Sequence, residues 1–263
     1  MARAWSGGQD VGMTSPTTLP PVSYLAHIRA DAARMAELGA RDLDAAIPSC
    51  PGWDVREVLT HTGSVYSHKV ACMRTGRRPE SSDEWNHGPA EGEDLLGWFA
   101  TRTDELLGEL GERGPGTPSF TWYEPQQNVG FWFRRMAQET VVHRVDVEGA
   151  FDVVAPVDDA LAVDGVDEVL DWFLSYQAAD VGPDAPGHGT VAVRTSDHIW
   201  RVTLHPDDVA LARDRGPAEA VVTGEPSELL LWLWGRRPRA AVTVEGDQPL
   251  VEAMRARLQV VTQ

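Results

Sequence analysis

The stretch "RRMAQETVVHRVD", from Arg134 to Asp146, decides how this chain is to be read. It holds no glycine or proline, so it is expected to be helical throughout. Glu139 and His143 lie four residues apart in its middle, flanked by the apolar Met136, Val142 and Val145. Residues at that spacing point the same way, with Cβ atoms about 6 Å apart, so a carboxylate and an imidazole share one face. Two readings compete: an exposed helix ion pair, or two thirds of a metal site. The apolar flanks weigh against the first, because an unpaired buried carboxylate is costly.

A catalytic zinc takes three protein ligands and keeps one position open. The second reading therefore needs a donor from another element. His61, in "VLTHTG", is the best candidate, since Val58 and Val65 share its side of a helix and predict an inward imidazole. A lone histidine on an apolar face is also an ordinary core residue, and spacing alone leaves both readings standing. His68 follows His61 by two helical turns, about 10.5 Å along the axis. That is too far to share an ion, and a position at the surface or a pocket rim is expected. His198 and His205 flank a candidate strand without ligand spacing.

Outward from this segment, helical patterns cover 22–46, 54–76, 93–111 and 129–150. The second opens on Asp54 with Glu57 three residues on, an acidic variant of the capping box. Four amphipathic segments with two long connections predict an antiparallel bundle over 22–152. After "FDVVAPVD" the pattern changes. A helix over 159–177 leads into "TVAVRT" and "IWRVTL", joined by "SDH" as a hairpin, with "EAVVTG" and "AAVTVEG" as further strands. "EPSELLLWLWGRR" and "DQPLVEAMRARLQVV" read as helices. The expected fold class is α+β in two domains, the second over 155–263. Residues 1–21 have no signal-peptide apolar core and read as a disordered leader, with Met13 as an alternative start.

Composition excludes several functions. The 263 residues are 42% hydrophobic and 24% charged, the balance of a soluble globular chain. A net charge of −17 is the opposite of a duplex-binding surface. No window of membrane-spanning length is apolar. A cytoplasmic protein with a small-molecule partner, and neither a nucleic-acid nor a membrane partner, is expected. Cys50 and Cys72 are then expected to be free thiols. Of 23 basic residues only Lys69 is lysine, a bias that a GC-rich genome produces.

"PSCPGWDVREVLTHTGSVYSHKVACMRTG" followed by "GFWFRRMAQETVVHRVDVEGA" resembles the N-terminal domain of the mycothiol-dependent maleylpyruvate isomerase family, whose members are DinB-like metal-binding four-helix bundles. "SELLLWLWGRRP" resembles the family's second, sterol-carrier-like α+β domain. By position the resemblance implies His61, Glu139 and His143 as ligands of zinc or another divalent metal. Asp146 matches an aspartate that lies behind them or makes a helix-packing contact, and Arg236 or Arg237 matches a catalytic arginine that holds a substrate carboxylate. Gln138 stands where members often carry histidine. The implied cofactor is mycothiol, the small thiol of actinobacteria. The implied reaction is thiol addition to a conjugated cis double bond, rotation and thiol loss. Retention of the adduct would make the protein an S-transferase acting on electrophiles. An Fe(II) site for oxygen chemistry and a non-catalytic zinc-binding module are the further alternatives.

Overall fold

The computed structural model describes residues 17–182 and 186–262. The expected leader falls almost wholly on 1–16, outside the described residues. The chain divides into two compact units, one from Thr18 to Asp164 and one from Gly165 onward. The first holds four long helices and the second a five-stranded sheet with helices, an α+β chain as the patterns predict. Among the described residues no helix is long and apolar enough to cross a membrane.

In the first unit, α1 (Pro21–Gly39), α2 (Val55–Thr75), α3 (Leu95–Arg113) and α4 (Val129–Gly149) pack so that α1 lies against α3 and α4, and α2 against α3 and α4. The core between them contains Ile28, Met35, Leu59, Tyr66, Trp98, Leu106, Phe131 and Met136, all buried. Helix α2 starts at the capping box: Glu57 N–H donates to Asp54 Oδ1 at 2.9 Å, and Asp54 N–H to Glu57 Oε2 at 2.8 Å. It stops at Gly76, whose φ of 69° only glycine adopts freely.

Two boundaries differ from the pattern. Helix α1 ends at Gly39, not near 46, because Asp42 Oδ1 accepts the Asp44 N–H and the chain turns into a short hairpin. That hairpin is closed by Ile47 N–H to Trp53 O at 2.9 Å and Val55 N–H to Ala45 O at 3.1 Å. Helix α3 runs through Gly111 to Arg113, and the stop falls at Gly114 (φ 73°).

Helix α4 is the centre of the unit. From Phe131 to Glu148 every residue is buried except Glu139 and His143. Several of its buried polar side chains are paired, while among the described residues Gln138 Oε1 accepts no hydrogen bond. Arg134 reaches Asp164 at 3.0 Å, Gln138 Nε2 donates to Asp164 Oδ2 at 2.8 Å, and Arg144 donates to Glu148 at 2.6 Å.

Helix α5 (Asp159–Glu168) continues as a π-helical turn, Val169–Ser175. In the second unit, β1 (Gly189–Arg194) and β2 (Ile199–Leu204) form the expected hairpin, with Arg194 opposite Ile199. The sheet order is β3-β2-β1-β4-β5, with β4 (Ala220–Thr223) parallel to β1 and β5 (Thr243–Gly246) antiparallel to β4. Helix α6 (Pro226–Leu233) lies between β4 and β5 in sequence, and α7 (Gln248–Val261) packs on β1, β4 and β5. Strand β3 (Val209–Ala212) was not expected. Its four residues are too short to show alternation, and only pairing with β2 makes them a strand.

The α2–α3 contact is closest at Gly63, where an added Cβ would run into the Trp98 ring. Gly63→Ala should destabilise the protein by about 1–3 kcal/mol in chemical denaturation. Gly108→Ala, on the exposed side of α3 with nothing within 4 Å, should instead stabilise it by about 0.5–1 kcal/mol.

Candidate metal centre

The two half-open positions on α4 face His61 of α2. His61 Nε2 lies 3.3 Å from Glu139 Oε1, and His143 Nε2 lies 3.4 Å from the same oxygen. The two imidazoles meet edge to face with centroids 5.0 Å apart. One ligand atom from each of the three residues falls within 4.8 Å of the other two, and among the described residues this is the group of metal-ligating side chains that converges so. His61 is more open than its apolar neighbours predict, with 39% of its side chain exposed. Trp53 covers it from one side, with ring centroids 5.2 Å apart.

His143 and Glu139 are each oriented from behind. Asp146, fully buried on α4, takes His143 Nδ1 on Oδ2 at 3.1 Å. Ser49 donates to Asp146 Oδ1 at 2.6 Å, and the Cys50 thiol lies 3.7 Å from Oδ2. Arg135, one turn before Glu139, donates to Glu139 Oε2 at 3.1 Å, which leaves Oε1 turned to the imidazoles. Spacing on α4 could have found Arg135. Trp53, Ser49 and Cys50 come from the hairpin before α2, and nothing in the sequence points them at α4.

The electrostatics follow from these contacts. Burial penalises the Glu139 charge, yet the bonds to His143 and His61 and the Arg135 guanidinium hold its carboxyl well below the usual range. Burial opposes the His143 charge too, but the bonds to Asp146 and Glu139 raise its pKa to about 9. Without a metal, the centre is thus a charged His143 between two carboxylates.

The other candidates have partners of their own. His68 packs edge-on against Trp85 at 5.0 Å. Neither Cys50 nor Cys72 is in a disulfide. In the second unit, Arg237 Nε faces both Glu228 oxygens at 3.1 Å, and Arg236 Nη1 donates to Trp234 O at 2.8 Å.

His143 yields a pH prediction for the metal-free protein. Its folded pKa exceeds the ordinary 6.5, so its contribution to stability is full below pH 6.5 and is lost as pH rises through about 9. Asp146→Asn should bring the His143 titration, followed by NMR of its ring protons, down toward 6.5 and flatten that loss.

Residues 25–148 match the family model described as the mycothiol maleylpyruvate isomerase N-terminal domain, and residues 160–253 match that family's C-terminal domain. No curated protein sequence matches the chain. Two solved structures share its fold, a mycothiol-dependent maleylpyruvate isomerase (TM-score 0.58) and a histidine-to-alanine mutant of such an isomerase (TM-score 0.57). Each is 14% identical, with 88% of this chain and 96% of the other covered. With both of its domain models matched in order along most of the sequence, the chain belongs to the mycothiol-dependent maleylpyruvate isomerase family.

Proposed function

We propose that the protein is a zinc-assisted, mycothiol-dependent enzyme that isomerises a maleylpyruvate-like unsaturated acid from cis to trans. The observation that carries this is the opening in α4. Between Phe131 and Glu148 the residues that are not buried are Glu139 and His143, and they face the partly exposed His61. Three donors at an opening suit a catalytic ion better than a closed structural site.

The donor set fits zinc. With metal–ligand bonds of about 2.0–2.2 Å, two ligands of a tetrahedral ion lie about 3.3–3.6 Å apart. The separations from Glu139 Oε1 to the two imidazoles are 3.3 and 3.4 Å. Asp146 engages Nδ1 of His143 and so directs Nε2 to the ion, the arrangement common behind ligating histidines. A divalent ion, when bound by His61, Glu139 and His143, would supply an open position that favours the thiolate form of a thiol.

The net reaction is reversible addition of a thiol sulfur across a conjugated cis double bond, followed by its loss from the trans rotamer, so that the thiol returns unchanged. The chain's part is to set the donors, keep Glu139 ionised through Arg135, and hold the acid in place. Arg236 and Arg237 are the second unit's proposed contacts to a substrate carboxylate, and Arg236→Ala or Arg237→Ala should raise KM more than it lowers kcat.

The deciding experiment compares His143→Ala, Asp146→Asn and His68→Ala by elemental analysis and by turnover of maleylpyruvate with mycothiol. Asp146→Asn should weaken zinc retention about 10–100-fold. His143→Ala should lose more than that, and its turnover as well, while His68→Ala should keep its zinc. Turnover by a zinc-free His143→Ala protein would sink the proposal. A stable thioether product in place of the trans acid would make the protein an S-transferase. Zinc uptake at pH 7 should also release at least one proton, read with an indicator dye, because His143 must deprotonate before it can ligate.

A further inference from the structure

Lys69 is the single lysine among the chain's 23 basic residues. It lies on α2 two helical turns beyond His61, about 12 Å along the axis. Side chains on a helix lean toward its N-terminus, so the ammonium is carried back toward the metal centre. It sits 5.3 Å over the Trp132 ring, which lies two turns before Glu139 on α4. Helices α2 and α4 pack on one another, with the donors His61, Glu139 and His143 toward one end of their contact and Lys69 toward the other.

The surroundings of this ammonium are unusual. Its hydrogen-bond partner is His68 Nδ1 at 3.2 Å, an uncharged acceptor, since burial, then Lys69 itself, pushes the His68 pKa down to about 4. Burial pushes the Lys69 pKa down, Cys72 and Glu139 push it back up, and Arg135 and Arg78 lower it further. Glu139 is already engaged by His61, His143 and Arg135. Among the described residues, no carboxylate forms an ion pair with Lys69. An ammonium has three donors, and one bond to His68 leaves two for something else. Arg135 and Arg78 add to the positive field, in a chain of net charge −17.

We infer that Lys69 is an anion-binding residue, which holds the carboxylate of a small organic acid lengthwise along the α2–α4 seam, with the acid's unsaturated carbon toward His61, Glu139 and His143. The thiol-addition reading supplies the identity of the reactive end. The anion contact itself needs neither metal nor thiol. A lysine suits the task because its compact charge ends a flexible stem that can follow the ligand, whereas an arginine presents a rigid fork.

The lone lysine makes the test direct. Protein labelled with 13C at the lysine ε-carbon gives one lysine signal, which is followed as maleate is added to the full chain, with and without zinc. A saturable shift of that signal is expected in both forms. By calorimetry, Lys69→Met should weaken maleate binding at least tenfold with zinc content unchanged, and Lys69→Arg should restore part of the affinity. An unmoved lysine signal at saturating maleate, or equal affinity in Lys69→Met, would overturn the assignment and leave the metal reading intact. A shift in the zinc-free form upholds Lys69 by itself, and a separate failure of the protein to retain added zinc would sink the metal reading without touching the Lys69 assignment. If Lys69→Met does not fold, the titration of the unaltered protein decides.

Discussion

A carboxylate held inside a helical bundle has to be met by cations, and Glu139 is met from three directions. His61 comes from α2, His143 from the next turn of α4, and Arg135 from the turn before. Most of the geometry described above follows from that requirement. The imidazoles have to point at one oxygen, so α2 and α4 have to stand face to face at this level. His143 has to stay fixed, so Asp146 lies buried behind it. Bringing a metal into the site replaces a proton on His143 with an ion of higher charge and leaves the carboxylate compensated.

The same demand is repeated along α4, a helix walled in on almost every side while carrying charged and polar groups. Arg134, Gln138 and Tyr24 converge on Asp164, and Arg144 bridges Asp31 and Glu148. Removing one partner of such a pair strands the other, at a cost of about 3–5 kcal/mol. These networks fix the rotation of α4 about its axis, and that rotation puts Glu139 and His143, rather than their neighbours, at the opening.

The sequence was most legible where a signal is local. The capping box Asp54–Glu57, the stop at Gly76 and the hairpin between β1 and β2 each depend on residues within a few positions of one another. The triad was legible in part, because the four-residue spacing of Glu139 and His143 is local and His61 shares a face with apolar residues. What stayed hidden depends on distant partners. Arg134 and Gln138 read as ordinary helix polarity until Asp164 is placed beside them. The early end of α1 follows from a competing turn at Asp42 and Asp44, in a stretch whose alanines favour helix. Strand β3 exists only because β2 offers it an edge.

The hairpin between α1 and α2 does two jobs with one length of chain. Its far side is closed by the Ala46–Asp54 bridge, and Asp54 is also the residue that starts α2. Its tip carries Ser49 and Cys50 to Asp146, and its return strand carries Trp53 to His61. Chain length here is therefore as constrained as residue identity. One residue inserted between Ile47 and Trp53 would leave every member of the triad in the sequence. It would nonetheless draw Ser49 off Asp146 or displace the start of the helix that bears His61. Tolerance of insertions should thus separate this loop from the exposed turn at the end of α2, where Gly76 closes the helix with no ligand depending on the residues beyond it.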